Sequence, residues 1–176
     1  VRENGRQFSH AGIWVVMAFA AQKDFLKAWD LLPFLSPIHH SKTPGDVRKY
    51  RVEPYAIASD IYAAPPHTGR GGWTWYTGSA GWMYTLILES LLGVRLSGNI
   101  LTFKPCIPMT WRSYQIDYRY RSTPYHIVVK NSRPPWSGDT GSSVRSIVVD
   151  GIDQADKNIH LVDDLEVHQV VVDLGE

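Results

Sequence analysis

The apolar residues of this chain change their period once, at Gly93. Ahead of it they recur every three or four residues, the spacing of one helix face, and behind it they alternate, the spacing of a half-buried strand. A segment written in one period cannot bury its apolar side in the other. The chain is therefore expected to be α+β with a boundary near residue 94. A helical part, residues 1–94, would precede an antiparallel β-sandwich, residues 95–176.

From His10 to Gln22 the residues Ile13, Trp14, Met17, Ala18 and Ala21 share one stripe and no proline interrupts them, which predicts a helix. Asp24 is placed to cap a second, with Phe25, Ala28, Trp29 and Leu32 on one side and Pro33 at its end; the two would form an antiparallel hairpin. Thr43-Pro44, with Asp46 following, predicts a short capped turn. Ser79 to Leu92 predicts a further helix through Trp82, Leu86, Glu89 and Leu92, stopped by Gly93. Strands are expected at Leu101 and Phe103, at Tyr114 to Tyr120, at Ile127 to Val129 after a Ser-Thr-Pro turn, and over 146–149, 158–162 and 167–174; residues 131–143 read as a loop. Two or three long helices cannot enclose a core, so the helical part is expected to be the last section of a larger helical array. The first residue, Val1, agrees with a piece of a longer polypeptide.

Charge and cysteine content remove several function classes. Eighteen basic and seventeen acidic side chains leave a net charge of +1, no footprint for nucleic acid or an anionic membrane, so any anion must be held locally. One cysteine, Cys106, excludes an internal disulfide and multi-cysteine metal sites, and the adjacent His39 and His40 do not form a zinc motif; no metal is expected. The apolar run near Ile13 to Ala21 is too short to span a bilayer. Seven Trp and nine Tyr can fill a core, and they also suit flat, partly apolar ligands such as sugar rings.

The stretch HTGRGGWTWYTGSAGW, residues 67–82, is too rich in glycine for a core helix and too rich in tryptophan for a linker. GRGG has no GK[ST] ending and follows no clear strand, which excludes a nucleotide P-loop, and no dinucleotide fingerprint is present. A helix beginning at Ser79 would put Thr77-Gly78-Ser79 at a terminus whose free N–H groups and dipole favour an anion. The same residues also suit a plain helix cap. His10, at the start of a helix, can donate to an anion or serve packing alone.

RENGRQFSHAGIW, VEPYAIASDIYAAPPHTGRGGWTWYTGSAGWMY and LTFKPCIPMTW closely resemble the C-terminal part of glycoside hydrolase family 94, the inverting glycoside phosphorylases. The tenor is that of the β-1,2-glucan branch, which includes 1,2-β-oligoglucan phosphorylases and the C-terminal region of cyclic β-1,2-glucan synthases. The resemblance covers essentially the whole chain. It implies the last helices of an (α/α)6, six-hairpin barrel, followed by the β-sandwich. It also implies that inorganic phosphate, as co-substrate and without a cofactor, attacks an anomeric carbon of a β-glucan oligosaccharide and releases α-glucose 1-phosphate.

By motif position the resemblance makes His10, Thr77 and Gly78 phosphate-binding, and Arg2 and Glu3 contacts of the sugar on the leaving-group side. The general acid would lie upstream, so no catalytic residue is expected here and the fragment alone should be inactive. Glu53 would organise the site and Asp60 would be structural. The family's Asn-Gly-Gly reads Asn4-Gly5-Arg6 here, and Arg6 can either reinforce anion binding or obstruct it. The resemblance allows a homodimer, for which these residues supply no interface. It places the protein in the cytoplasm, or on the cytoplasmic side of the inner membrane if the parent is a cyclic glucan synthase, with membrane contact only through parts outside this chain. A non-catalytic carbohydrate-binding or scaffolding module is the competing expectation, separated from the enzyme by the presence or absence of the upstream acid.

Overall fold

Asp24 and Thr43 act as their positions predict. In the computed structural model, which describes residues 5–75, 77–133 and 143–175, the Asp24 carboxylate accepts a hydrogen bond from Lys27 N at 3.1 Å and α2 (Phe25–Leu31) follows. Thr43 and Asp46 form a reciprocal capping box ahead of α3 (Pro44–Tyr50). The chain forms two compact units, Val1–Ile87 and Leu88–Glu176.

In the first unit, α1 (Ser9–Ala21) packs with α2 and with α4 (Thr77–Thr85). The expected stripe on α1 is displaced: Ser9, Ile13, Val16 and Ala20 are buried, while Trp14 and Val15 are about half exposed. The helix is apolar nearly all round, so two stripes satisfy the same period and only the neighbours choose between them. Two short strands that periodicity does not reveal, β1 (Arg6–Phe8) and β2 (Asp60–Tyr62), pair antiparallel, with Phe8 opposite Asp60. α4 begins at Thr77, ahead of the expected Ser79, and passes at Leu86–Leu91 into a π-helical turn. The wider turn carries burial from Met83 and Leu86 to Leu91 and leaves Glu89 exposed.

The second unit contains β3 (Val94–Ser97), β4 (Ile100–Phe103), β5 (Ser113–Tyr120), β6 (Thr123–Asn131), β7 (Ser143–Val149), β8 (Ile152–Asp153), β9 (Ile159–His160) and β10 (His168–Gly175). They form a five-stranded sheet, β5-β6-β10-β7-β8, and a three-stranded sheet, β3-β4-β9. Leu101, Phe103 and Ile159 from the smaller sheet share one core with Ile127, Val129, Ile147, Val170 and Val172 from the larger. The expectation of antiparallel strands throughout needs one correction: β10 lies parallel to β6, with Val170 beside Ile127 and Val172 beside Val129. Parallel and antiparallel neighbours share the same period of two, so alternation carries no direction, and the long path between β6 and β10 permits either. Most of the loop expected over 131–143 lies outside the described residues. Among the described residues, no helix is long and apolar enough to cross a membrane.

Gly93 ends the helical segment with φ of +75°, and a Cβ there would overlap the backbone of Lys104, whose N–H donates to Gly93 O at 2.8 Å. Gly93→Ala is expected to cost about 1–3 kcal/mol from the left-handed backbone alone, and more from the overlap. An unfolding midpoint equal to that of the wild type would contradict this.

His168 sits between two carboxylates, Nδ1 at 2.6 Å from Asp150 and Nε2 at 3.2 Å from Asp164, with its ring stacked on Tyr125 at 4.6 Å. Both nitrogens can donate only in the imidazolium. The hydrogen bond to Asp150 accordingly raises the His168 pKa, and the same bond, foremost, lowers that of Asp150. The raised group contributes fully below its ordinary value of 6.5, and this is lost as the pH rises through the folded value. The depressed Asp150 contributes above its ordinary 3.8 and is lost as the pH falls through its folded value. Chemical unfolding as a function of pH should therefore show stability declining above pH 6.5, and His168→Gln should flatten that decline. An unchanged slope in the variant would contradict the assignment.

Candidate functional site

β1 delivers the chain directly into α1. Ser9 N donates to Ser59 O at 2.9 Å, which seats the start of the helix on β2, and His10 follows. The His10 ring meets Trp14 edge-on, with centroids 4.6 Å apart, and lies 6.1 Å from Trp82; the two indoles are themselves perpendicular at 5.6 Å. Its Nε2 is buried and meets no hydrogen-bond partner among the described residues. Two tryptophan rings thus flank an imidazole whose buried nitrogen remains able to bond.

The first turn of α4 lies against the same ring. A Cβ built on Gly78 would stand 3.8 Å from both Cε1 and Nδ1 of His10. Because α4 starts at Thr77, the residues Thr77, Gly78 and Ser79 all belong to its first turn, where backbone N–H groups lack acceptors within the helix. Two segments remote in sequence therefore bring the Cε1–Nδ1 edge of the imidazole to the positive end of a helix. Gly78 is exposed and Ser79 buried; for Thr77 only the backbone is described. Arg2 and Glu3 lie outside the described residues.

The glycines of GRGG serve the protein's own packing. A Cβ on Gly71 would overlap Val52, and one on Gly72 would overlap the carboxylate of Asp60. Gly72 N donates to Asp60 O, and Ser59 N to Trp73 O, each at 2.7 Å. Beyond this seam the indoles stand outward: Trp73 is 67% and Trp75 72% exposed, with Tyr55, 76% exposed, at 6.5 Å from Trp75. Trp75 holds φ of +66°, unusual for a bulky residue and a mark of a constrained loop.

Arg6 is engaged by groups of the protein itself. Its guanidinium donates to Asp60 Oδ2 at 3.0 Å and lies over the Phe8 ring at 5.1 Å. Asp60 is fully buried, and its other oxygen accepts from Ser59 Oγ at 2.6 Å. Glu53 makes no side-chain hydrogen bond among the described residues; its charge adds to the burial that pushes Tyr50 up to about 12. No group of three or more His, Cys, Asp or Glu among the described residues is placed to hold a metal ion. The indole walls were detectable in principle, because Trp14 follows His10 by one helical turn. The Arg6–Asp60 pair was not, since nothing local joins the two.

Two glycine substitutions separate packing from ligand space. Gly72→Ala should destabilise, by about 1–3 kcal/mol, the range for forcing extra volume into a packed site. Gly78→Ala should leave the unfolding midpoint at or above that of the wild type, since its Cβ meets only ordinary contacts and Ala favours the helix by up to about 1 kcal/mol. Equal destabilisation of both in thermal unfolding would contradict this division.

The model of the glycosyl hydrolase 94 superfamily catalytic domain matches residues 1–93. The cyclic beta-(1,2)-glucan synthase NdvB of Rhizobium meliloti (strain 1021) is 46% identical over 148 residues, 84% of this chain and 5% of the synthase. The N,N'-diacetylchitobiose phosphorylase of Vibrio furnissii is 33% identical over 153 residues, 86% of this chain and 18% of that enzyme. The 1,2-beta-oligoglucan phosphorylase of Listeria innocua is 29% identical over 121 residues, 61% of this chain and 11% of that enzyme. The chain thus spans only a small part of each of these relatives.

Proposed function

The chain belongs to the glycosyl hydrolase 94 superfamily, and from that premise we propose that it supplies the phosphate-binding part of a glycoside phosphorylase acting on β-1,2-glucan. His10, Thr77 and Gly78 hold inorganic phosphate. The observation that carries this reading is the buried Nε2 of His10, unpartnered among the described residues, with the ring set against the first turn of α4. Leaving such a nitrogen unsatisfied costs about 1–3 kcal/mol, which an anion at that helix terminus would offset.

The chemistry follows from what phosphate is. An inverting hydrolase needs a second carboxylate to deprotonate its water, whereas phosphate is already an anionic nucleophile and needs only to be held in line with the anomeric carbon. Attack forms the phosphate–carbon bond and breaks the glycosidic bond; an acid supplied outside this chain protonates the departing oxygen, and α-glucose 1-phosphate leaves with a shortened glucan. Similarity to a cyclic beta-(1,2)-glucan synthase and to a 1,2-beta-oligoglucan phosphorylase supports the β-1,2 linkage. In this reading Arg2 and Glu3 contact the sugar on the leaving-group side. The apolar faces that α1 leaves exposed at Trp14 and Val15 fit a helical barrel completed by other parts of the polypeptide.

In the full-length enzyme, His10→Ala and Thr77→Ala should each raise the KM for phosphate roughly ten- to hundredfold, the worth of one charge-assisted hydrogen bond, while the KM for glucan moves less than about threefold. Steady-state kinetics with each substrate varied in turn decides. Equal rises for both substrates would overturn the assignment. Glucan binding without any phosphate-dependent product would favour a carbohydrate-binding module.

A further inference from the structure

Resting on the phosphate-site reading above, we infer that Asp60 is a positioning residue that ties both halves of that site to one scaffold, with Arg6 as its counter-ion. Three chain segments converge on Asp60. Its own strand, β2, pairs with β1, placing Phe8 opposite it just before α1 and His10 begin. Its carbonyl accepts from Gly72 N at 2.7 Å, and Gly72 lies so close to Oδ1 that no Cβ fits between them. From Gly72 the chain runs through Trp73 and Trp75 to Thr77 and Gly78. One buried residue thus holds the segment that leads into His10 and the segment that leads into the first turn of α4.

The carboxylate makes this junction specific. A fully buried carboxylate is tolerated only when paired, and here Arg6 Nη1 at 3.0 Å and Ser59 Oγ at 2.6 Å meet its two oxygens. The Arg6 bond crosses from β1 to β2 through side chains, in addition to the backbone ladder. The Ser59 bond turns the other oxygen towards the glycine loop. If β1 slid along β2, or the loop lifted from Oδ1, the ion pair would be broken or left partly unsatisfied. His10 and Gly78 therefore inherit a single relative placement from the Arg6–Asp60 pair. Arg6, standing where the motif usually has glycine, supplies the side chain that a glycine could not.

The test uses the full-length enzyme with Arg6→Ala, Arg6→Lys and Asp60→Asn, and His10→Ala as reference. Arg6→Ala should raise the phosphate KM about tenfold with the glucan KM within about threefold, and Arg6→Lys should recover most of the loss. As a readout independent of turnover, the 15N resonance of His10 Nε2 should respond to inorganic phosphate in the wild type and require a correspondingly higher concentration in Arg6→Ala. Should Arg6→Ala fail to fold, Asp60→Asn, nearly isosteric, carries the same two measurements with the same expected direction. Wild-type phosphate KM and His10 response in both variants, while His10→Ala raises the phosphate KM, would overturn the role of Asp60 and leave the phosphate site standing. Parallel rises in the phosphate and glucan KM of Arg6→Ala would also overturn it. No effect of His10→Ala on the phosphate KM would remove the underlying reading and this inference with it.

Discussion

The pairing of β1 with β2 is the constraint on which the rest of the first unit depends. It is short, but it seats the start of α1 through Ser9 N and Ser59 O, and it buries Asp60 against Arg6. A two-stranded ribbon of this length has little stability of its own in water. Here it is secured by a buried ion pair and by a loop of glycines laid on the carboxylate. The consequence is local order where it is needed: the helix that carries His10 and the helix that begins at Thr77 start from the same small platform.

Sequence legibility followed the range of the interaction. Thr43 with Asp46, and Asp24 with Lys27, are contacts between residues of one turn, and both caps form where their spacing places them. The alternation of Tyr114, Ile116, Tyr118 and Tyr120 likewise maps onto one strand, with that set packed on the core. Features set by distant partners were not legible. The buried face of α1 depends on which neighbours arrive, β10 takes its direction from the path of the intervening chain, and β1 and β2 are too short to show a period. Of the site, His10 and the Thr77-Gly78 step were visible as motifs, but their proximity belongs to the packing of α1 with α4.

The glycine-rich stretch divides into two roles. Gly71 and Gly72 are small because Val52 and Asp60 press on them, whereas Gly78 has room for a methyl group and stands beside His10. One motif therefore carries a packing seam and, in the proposed function, a place for an anion. The division accords with phosphorolysis, in which the protein's task at the nucleophile is to hold a charged molecule in line rather than to activate water. The phosphate site proposed above draws on the second role, with backbone N–H groups and one imidazole as its donors.

The central claim is that phosphate bridges His10 and the first turn of α4. A crystal structure of the full-length enzyme in inorganic phosphate tests it most directly. The predicted result is a phosphate oxygen within hydrogen-bonding distance of His10 Nε2, with a second oxygen facing the backbone N–H groups at Thr77 and Gly78. Phosphate bound elsewhere in the active site, with His10 Nε2 bonded to a side chain from another part of the polypeptide, would contradict it.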